Sequence, residues 1–317
     1  MKKEIKVIGC GVSGLTVALT LIDKGFNVEI ITEKLPKQTT SSKAAAIWFP
    51  FKVGPVEKVN KWSMESYRIF KELCNIPNSG VSMVPFTVLE KREEDAWWVK
   101  AIPENELRKA EKEELPTGYP VGFLLNVPLA ETQIYLDFLL DRFTSSNGKL
   151  TIKKIADLSG FDHEKVIVVN CTGLSSRELV NDKHLYPIHG QIVKAEPKNG
   201  INCIAANFTF EETEDKLAYV VPREDCLVLG GTYIKGEGEI NPNNNFTKGI
   251  IKRCNMIEPN LGEIKIKSVE VGLRPGRPEI RVEREGNIIH NYGHGGGGFT
   301  VSWGCATEVF KLINESD

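Results

Sequence analysis

The sequence lacks the features that mark several classes of protein. Its 40 basic and 42 acidic residues leave a formal net charge of only −2, which argues against nucleic acid or an anionic membrane as the main partner. No apolar run approaches the roughly 20 residues that a membrane-spanning helix needs. The seven cysteines include no Cys-x-x-Cys pair. Their scattered spacing and odd number favour free thiols in a reducing cytosol over a disulfide framework or a zinc site.

Recognisable targeting signals are also missing. The basic start Met1-Lys2-Lys3 precedes a short apolar stretch that glycines interrupt from Gly9 onward, so we interpret that stretch as a first strand and not as a signal peptide. The last residues, Asn314-Glu315-Ser316-Asp317, are not a peroxisomal tripeptide. We therefore expect a cytoplasmic protein with neither nucleic acid nor a membrane as partner. Its 317 residues, 41% hydrophobic and 26% charged, are ordinary for one or two globular domains.

The chain opens with a predicted βαβ unit. Residues 4–9 are typical of a short strand, and an apolar helical pattern runs from about Ser13 to Lys24. Gly25 is placed to end that helix. Residues 26–32 alternate well enough to form a second strand.

A glycine motif, Gly9-Cys10-Gly11-Val12-Ser13-Gly14, lies between the first strand and the first helix. Its G-x-G-x-x-G spacing permits a tight turn and lets backbone N–H groups approach a pyrophosphate at a helix N-terminus. Glu33, at the end of the second strand, can accept hydrogen bonds from a ribose 2′-hydroxyl. The pattern predicts dinucleotide binding but does not separate FAD from NAD.

The rest of the chain alternates between helical and strand patterns, which predicts two interleaved domains. The stretch 90–114 is dense in charges of both signs and is interpreted as a solvated face. The 217–234 strands flank a turn at Arg223-Glu224-Asp225. The remaining predictions are helices over 55–76, 131–144 and 301–312, and strands over 166–170, 264–272 and 279–283.

A second glycine-rich segment precedes the last helix. Four successive glycines occupy positions 295–298, so the backbone there can pass close to a ligand and offer N–H donors. At a helix N-terminus, such donors could stabilise negative charge on a reduced ring system.

Residues 288–306 resemble the signature of the D-amino-acid oxidase family: two aliphatics, His-Asn-Tyr-Gly, x, a Gly pair, x, Gly, five residues, Gly, x, Ala. Further blocks follow the family's order, and together they span residues 5–312. They are the flavin loop 39–48, the adenosine-side strand end 170–173, the domain crossing 190–191, the substrate-sheet strands 219–222 and 230–231, and the arginine block 271–275.

The resemblance implies an α/β fold with a Rossmann-like FAD-binding domain interleaved with an α+β substrate domain built on a large mixed sheet. The implied FAD-binding domain covers 1–54, 140–190 and 265–317, and the substrate domain covers 55–139 and 191–264.

The resemblance also implies roles for individual residues. Arg274 matches the arginine that binds the substrate carboxylate, a task that its planar fork suits. Tyr219 matches the tyrosine that supports this carboxylate, and the backbone at Gly296 matches the carbonyl that accepts from the substrate amine. The predicted FAD contacts are Gly9, Gly11, Val12, Ser13, Gly14, Glu33, Lys34, Thr39, Thr40, Ser41, Ala45, Ala46, Ile47, Ile155, Thr172, Gly173, Gly293, Gly295, Gly296, Gly298 and Thr300.

Other charged and titratable residues are assigned supporting roles. We interpret Arg277 and Arg281 as surface ion pairs. His290 and His294 are interpreted as groups that order their loop. The histidines do not cluster, so no metal is expected.

The implied activity is oxidation of a D-amino acid by hydride transfer from Cα to FAD. The imino acid then hydrolyses to an α-keto acid and ammonia, and molecular oxygen is reduced to hydrogen peroxide. No side chain need act as a general base. Phe49 and Phe51, beside the flavin loop, favour neutral or apolar substrates. A homodimer is the assembly we consider.

Three alternatives stay open. A D-aspartate oxidase would need an extra cation such as Lys216 or Arg223, although charged loop residues are usually solvated. A different FAD amine oxidase, acting on glycine or sarcosine, shares the flavin-domain type. A non-catalytic flavin- or NAD-binding protein rests on the N-terminal motif alone. The segment Asn207–Leu217 is short, acidic and without tyrosine, which puts a closing lid in doubt, and Gly297 stands where mammalian members have tyrosine.

Overall fold

The computed structural model describes residues 4–161, 165–207 and 216–315. Their helices are α1 (Val12–Asp23), α2 (Val56–Leu73), α3 (Thr132–Ser145), α4 (Ser176–Leu179), α5 (Asn244–Ile257) and α6 (Gly298–Asn314). Their strands are β1 (Glu4–Ile8), β2 (Val28–Thr32), β3 (Val81–Glu90), β4 (Leu107–Lys109), β5 (Val121–Ala130), β6 (Lys149–Ile152), β7 (Val166–Asn170), β8 (Tyr186–Ala195), β9 (Ile204–Ala206), β10 (Lys216–Pro222), β11 (Leu227–Thr232), β12 (Ile234–Lys235), β13 (Ile266–Gly276), β14 (Arg281–Glu285) and β15 (Ile288–Tyr292).

The first sheet has six strands in the order β14-β15-β7-β1-β2-β6. All its pairings are parallel except that of β14 with β15. Strands β2 and β7 are buried along their whole length, as expected for a parallel sheet covered on both faces. Helix α1 packs against α6 and α3, and Gly25 follows α1 with a φ of +80°. This is the predicted Rossmann-like half of the molecule.

The second sheet has nine strands, in the order β12-β8-β11-β10-β9-β3-β5-β4, with β13 also paired to β8. It is mixed, because β3 and β9 run parallel while the other pairs are antiparallel. Helix α5 packs on β10, β11 and β8, where Ile250, Cys254 and Ile257 join a buried apolar cluster. The predicted α/β class and the large mixed sheet are confirmed.

Several elements differ from the sequence-based expectation. The sequence patterns did not predict β3, β5 or β8. Strands β3 and β5 pair with each other along their whole length, from Val81 opposite Ala130 to Glu90 opposite Val121. The charged stretch 90–114 also carries a buried residue, since Trp98 is 1% exposed. Residues 186–190 and 265–276, which the predicted ranges give to the FAD-binding domain, lie mostly in strands β8 and β13 of the second sheet.

Two further findings bear on the classes considered above. In the described ranges, no helix is both long and apolar enough to span a bilayer. All seven cysteines are free thiols. Burial raises the pKa of two thiols to about 12: that of Cys10, within the glycine motif, and that of Cys171, whose backbone lies against Gly9. Both are therefore protonated at neutral pH and poor nucleophiles.

Candidate active site

One elongated cavity of about 880 Å³ connects the two sheets. Its size falls in the range of roughly 300–1,000 Å³ usual for ligand sites. The carboxyl ends of β1, β2 and β7 line one end, where parallel strands commonly bind nucleotides. Strands β8, β10 and β13 line the other end. Every predicted cofactor and substrate residue lines this cavity except Gly14 and Gly293.

The glycine motif forms a compressed turn at the start of α1. Gly9 has a φ of +108°, and a Cβ on it would lie 2.5 Å from the Cys171 carbonyl oxygen. A Cβ on Gly14 would lie 2.0 Å from the Gly9 carbonyl oxygen. Gly14 is therefore a packing residue behind the turn. The N-cap residue Gly11 offers no side-chain cap to α1, and the N–H of Val12 donates to Ser41 Oγ. The other N–H groups of the first turn can receive an anionic group.

The strand ends beside this turn supply the predicted adenosine side. Glu33 directly follows β2 and lies 3.8 Å from Lys154 Nζ. Thr172 follows β7, and its Oγ1 donates to Asn170 Oδ1 at 2.8 Å. Both residues line the cavity, as do Lys34, Ile155 and Gly173. A carboxylate at the end of β2 thus stands where the sequence predicted a ribose contact.

The second glycine segment brings another helix N-terminus to the same cavity. Gly295 has a φ of +51°, and α6 begins at Gly298 with no side-chain cap. Gly293 lies behind the segment, where a Cβ would be 3.0 Å from Arg277 Cβ. The Thr300 hydroxyl donates to Phe49 O at 2.9 Å and accepts from Phe49 N at 3.1 Å. Thr300 therefore lines the cavity with a hydroxyl that also fixes the Phe49 backbone.

The predicted flavin loop, residues 39–48, covers one side of the cavity. Ser41 Oγ accepts from Val12 N at 3.0 Å and so ties the loop to α1. Ala46 has a φ of +55°. Within the described ranges, the N–H groups of Ala45 and Ala46 donate no hydrogen bond, and both residues line the cavity. Peptide donors without partners at a ligand site fit a cofactor rich in acceptor atoms.

His294 connects the two glycine segments. Its Nδ1 lies 3.4 Å from Ser13 Oγ and its Nε2 lies 3.0 Å from Asn291 Oδ1. Burial lowers the pKa of His294 to about 4, so the ring is neutral at pH 7. His290 is also buried, with its Nε2 3.1 Å from Glu285 Oε2. These are the contacts of groups that order a loop.

We expect acid to destabilise the protein through His294. The unfolded chain binds a proton on this residue below roughly pH 6.5, whereas the folded protein binds it only near pH 4. Protonation of His294 leaves the free energy of unfolding unchanged above about pH 6.5. As pH falls to 4, it lowers that free energy by roughly 3 kcal/mol. Urea unfolding of wild type and His294→Gln at pH 7, 5.5 and 4.5 should show the stability gap between them narrowing. A gap that stays constant over this range would contradict the neutral buried ring.

The substrate end is built on the second sheet by Arg274 of β13 and Tyr219 of β10. Strands β8 and β11 lie between β13 and β10, so the two side chains come from strands that are not neighbours in the sheet. The intervening strands carry Gly190 and Gly230. A Cβ on Gly190 would lie 2.1 Å from Arg274 Nη1, and one on Gly230 would lie 1.8 Å from Tyr219 Cζ. Each side chain therefore lies across a glycine of the neighbouring strand.

The two side chains are held close enough to act on one ligand. Arg274 Nη1 donates to Thr232 O at 3.1 Å. Burial raises the pKa of Tyr219, and the nearby Arg274 cation partly opposes that rise. The phenol therefore stays protonated at neutral pH. A guanidinium and a hydroxyl converging on one cavity can bind a carboxylate.

The neighbouring arginines have other partners. Arg277 Nε lies 3.0 Å from Asp182 Oδ2, and Arg281 Nε lies 2.5 Å from Glu283 Oε1. The ion pairs are present, but the arginine side chains are only 19% and 11% exposed, so the expected surface position is wrong. The expectation of a solvated Arg223 is wrong, because its side chain is 3% exposed and outside the cavity lining. The Lys216 side chain and residues 208–215 of the possible lid lie outside the described residues.

The sequence did not reveal that Gly190 leaves the space that the Arg274 guanidinium occupies. A lone glycine in a strand pattern signals a bulge or a close approach, and β8 carries one between Ile188 and Ile192. It also missed Lys43, whose Nζ donates to Val271 O at 2.7 Å and ties the flavin loop to β13. Nothing in the local sequence of Lys43 indicates that partner.

The fold and the cavity define a dinucleotide-dependent enzyme, because two helix N-termini and a carboxylate-binding pair line the same cavity. The model of the FAD-dependent oxidoreductase family DAO matches residues 4–312. The chain belongs to this family: it is an oxidoreductase and its cofactor is FAD. The predictions of the family and of FAD are confirmed.

Two curated relatives and one solved structure agree with this assignment. A D-amino-acid oxidase of Dictyostelium discoideum is 40% identical over 330 residues, covering 99% of this chain and 92% of the relative. A D-amino-acid oxidase of Rubrobacter xylanophilus is 38% identical over 314 residues, covering 96% and 94%. Glycine oxidase from Bacillus cereus superimposes with a TM-score of 0.80 over 100% of this chain and 96% of its own, at 18% identity, which is a likeness of fold.

Proposed function

We propose that this chain is a D-amino-acid oxidase. It converts a D-amino acid, oxygen and water to an α-keto acid, ammonia and hydrogen peroxide. The observation that carries the proposal is the Arg274–Tyr219 pair at one end of the FAD cavity, because a free α-carboxylate needs such a partner. The names of the two curated relatives support it.

When bound, FAD would supply the redox chemistry that couples oxidation of the substrate to reduction of oxygen. The residues of the chain bind and orient the substrate. Arg274 donates to the α-carboxylate, and the protonated Tyr219 hydroxyl donates to the same group. The backbone carbonyl at Gly296, which lines the cavity, accepts from the α-amine. Holding both polar ends fixes the direction of the Cα–H bond.

The wall around the substrate end supports a neutral or apolar side chain. Phe49, Phe51, Phe86 and Leu217 line the cavity, and the Phe51 ring packs edge-to-face on Tyr233 with centroids 5.8 Å apart. An unpaired side-chain carboxylate would lose hydration there without compensation.

The D-aspartate alternative is less well supported. Arg223 is bonded elsewhere, and Lys43 donates to Val271 O. Lys34 and Lys154 lie at the Glu33 end of the cavity. Oxidation of glycine or sarcosine is the other alternative, and the substrate panel described below tests it.

Purified FAD-loaded protein should release peroxide from D-alanine, D-valine and D-phenylalanine and not from their L-forms. We expect kcat/KM for D-aspartate to be at least roughly 100-fold lower, because its second carboxylate would be buried against Phe49, Phe51 and Phe86. The measurement is a peroxidase-coupled assay over twenty D-amino acids, glycine and sarcosine, with catalase addition as the control. A FAD-loaded sample that is inactive toward every D-amino acid would refute the proposal. Faster turnover of sarcosine than of D-alanine would indicate a different FAD amine oxidase.

The cytoplasmic location and the homodimer stay predictions. Light scattering of the purified holoenzyme would measure its mass in solution.

A further inference from the structure

Arg223 connects the substrate sheet to the flavin loop of the other domain. It lies in the turn between β10 and β11, where its N–H donates to Cys226 O at 2.8 Å. Its Nη2 donates to Ala44 O at 2.9 Å and also to Ala45 O. Its Nη1 donates to Thr132 Oγ1 at 3.1 Å. One guanidinium thus binds two consecutive carbonyls of the loop.

The bonds around Arg223 extend to a third loop carbonyl. Thr132 Oγ1, at the start of α3, donates in turn to Ser42 O at 3.1 Å. The neighbouring Glu131 carboxylate lies 3.8 Å from Arg223 Nε. Burying a cation this deeply is costly unless it is paired and hydrogen-bonded. The only groups that Nη1 and Nη2 are seen to bind, within the described ranges, are the loop carbonyls and Thr132.

The rest of the loop is fixed at its two ends. Lys43 Nζ donates to Val271 O at 2.7 Å. Ala130 N donates to Ala46 O at 3.1 Å, and Trp48 N donates to Pro128 O at 2.8 Å. The Ala44 and Ala45 peptides lie between these anchors, and Arg223 holds them.

Peptide planarity links these carbonyls to the cavity. In a trans peptide the C=O of one residue and the N–H of the next point in opposite directions. Binding Ala44 O and Ala45 O to Arg223 therefore turns the N–H groups of Ala45 and Ala46 away from it. Both residues line the cavity, and their N–H groups have no hydrogen-bond acceptor within the described ranges.

We infer that Arg223 is a positioning residue for FAD: it orients two peptide N–H donors of the flavin loop toward the cofactor without touching it. The inference rests on FAD binding by this family member and not on the identity of the substrate. It predicts that losing Arg223 weakens FAD binding while leaving the substrate end intact.

The test is FAD affinity, measured by quenching of flavin fluorescence on titrating the deflavinated protein. We expect Arg223→Ala to raise the FAD Kd roughly 10- to 100-fold, as for loss of hydrogen bonds to a charged group. Arg223→Lys keeps the positive charge but carries its donors on a single nitrogen instead of a planar fork, so its FAD Kd should lie between those of Arg223→Ala and wild type. At saturating FAD, KM for the best substrate of the panel should stay within about twofold of wild type.

Arg253→Ala is the matched control. Arg253 is also buried, at 4% exposure, and also donates to backbone carbonyls, those of Leu217 at 3.0 Å and Gly231 at 3.3 Å. We expect it to lower the melting temperature as Arg223→Ala does, without changing the FAD Kd.

The FAD Kd values of these variants decide whether Arg223 positions the flavin loop. An Arg223→Ala protein with the FAD Kd of wild type overturns the inference, as does an equal rise in Kd for Arg253→Ala. If Arg223→Ala does not fold, Arg223→Lys and Thr132→Val decide, since Thr132→Val removes the link to Ser42; an unchanged Kd in both also overturns it. A protein inactive toward D-amino acids but weakened in FAD binding by Arg223→Ala would refute the proposed substrate and retain this inference.

Discussion

Replacing Arg274 by alanine is expected to lower kcat/KM for D-alanine by roughly 10²- to 10⁴-fold while the protein still binds FAD. A bidentate carboxylate contact contributes two charge-assisted hydrogen bonds of about 1.5–3 kcal/mol each. Each tenfold in kcat/KM corresponds to about 1.4 kcal/mol. Steady-state peroxide kinetics over a range of D-alanine concentrations would measure the loss, with the flavin absorbance recording FAD content. Arg274→Lys should recover only part, because an ammonium lacks the planar fork.

A second variant tests the placement of Arg274 without removing its charge. A Cβ on Gly190 would lie 2.1 Å from Arg274 Nη1, so Gly190→Ala must displace the guanidinium. The clash is with the end of a flexible side chain, which can move aside, so the expected loss is in substrate orientation. We expect kcat/KM to fall roughly 10- to 100-fold. Arg281→Lys is the control that should keep activity, because Arg281 lies on β14 of the other sheet and is ion-paired with Glu283. Full activity in Arg274→Ala would exclude Arg274 as the carboxylate ligand.

Replacing Gly14 by alanine is expected to weaken FAD binding by roughly 10- to 100-fold. Its Cβ would lie 2.0 Å from Gly9 O and 2.9 Å from Gly9 C, which are rigid backbone atoms. The turn must therefore open or α1 must move, at a cost of about 1–3 kcal/mol. Gly9 cannot yield toward β7, because it already lies against the Cys171 carbonyl. The measurement is the FAD Kd of the deflavinated variant.

Gly238→Ala is the matched control, because no atom lies within 4 Å of the position its Cβ would take. It should bind FAD as wild type does. If Gly14→Ala also binds FAD with unchanged affinity, the compressed turn does not limit access to the cofactor site.

Much of the cofactor end could be predicted from the sequence because it is local. The glycine motif and the segment 293–298 form turns that lead into helices, and Glu33 directly follows strand β2. Each is built from residues that are neighbours in sequence, so the spacing within each motif could be interpreted without the tertiary structure. The boundaries of α1, α2, α3 and α6 were predicted to within a few residues for the same reason, since helical periodicity repeats over one short stretch, whereas α5 was not predicted.

The placement of charged side chains was predicted less well. Arg223, in a polar turn, was expected to be solvated but is buried against carbonyls of Ala44 and Ala45. Trp98 is buried within a stretch interpreted as solvated. In both cases the deciding partner is far along the chain, and composition within a short window carries no information about it.

The sequence by itself determined the Rossmann-like start, the FAD family and the identity of the residues proposed to bind substrate. Only the tertiary structure decided how those residues meet. Arg274 and Tyr219 face one cavity because β13, β8, β11 and β10 pair in one register, and because Gly190 and Gly230 leave room for their side chains. Register depends on pairing between strands distant in sequence, and a one-residue shift reverses the face of every side chain. Local propensity does not encode that choice, whereas the packed sheet fixes it.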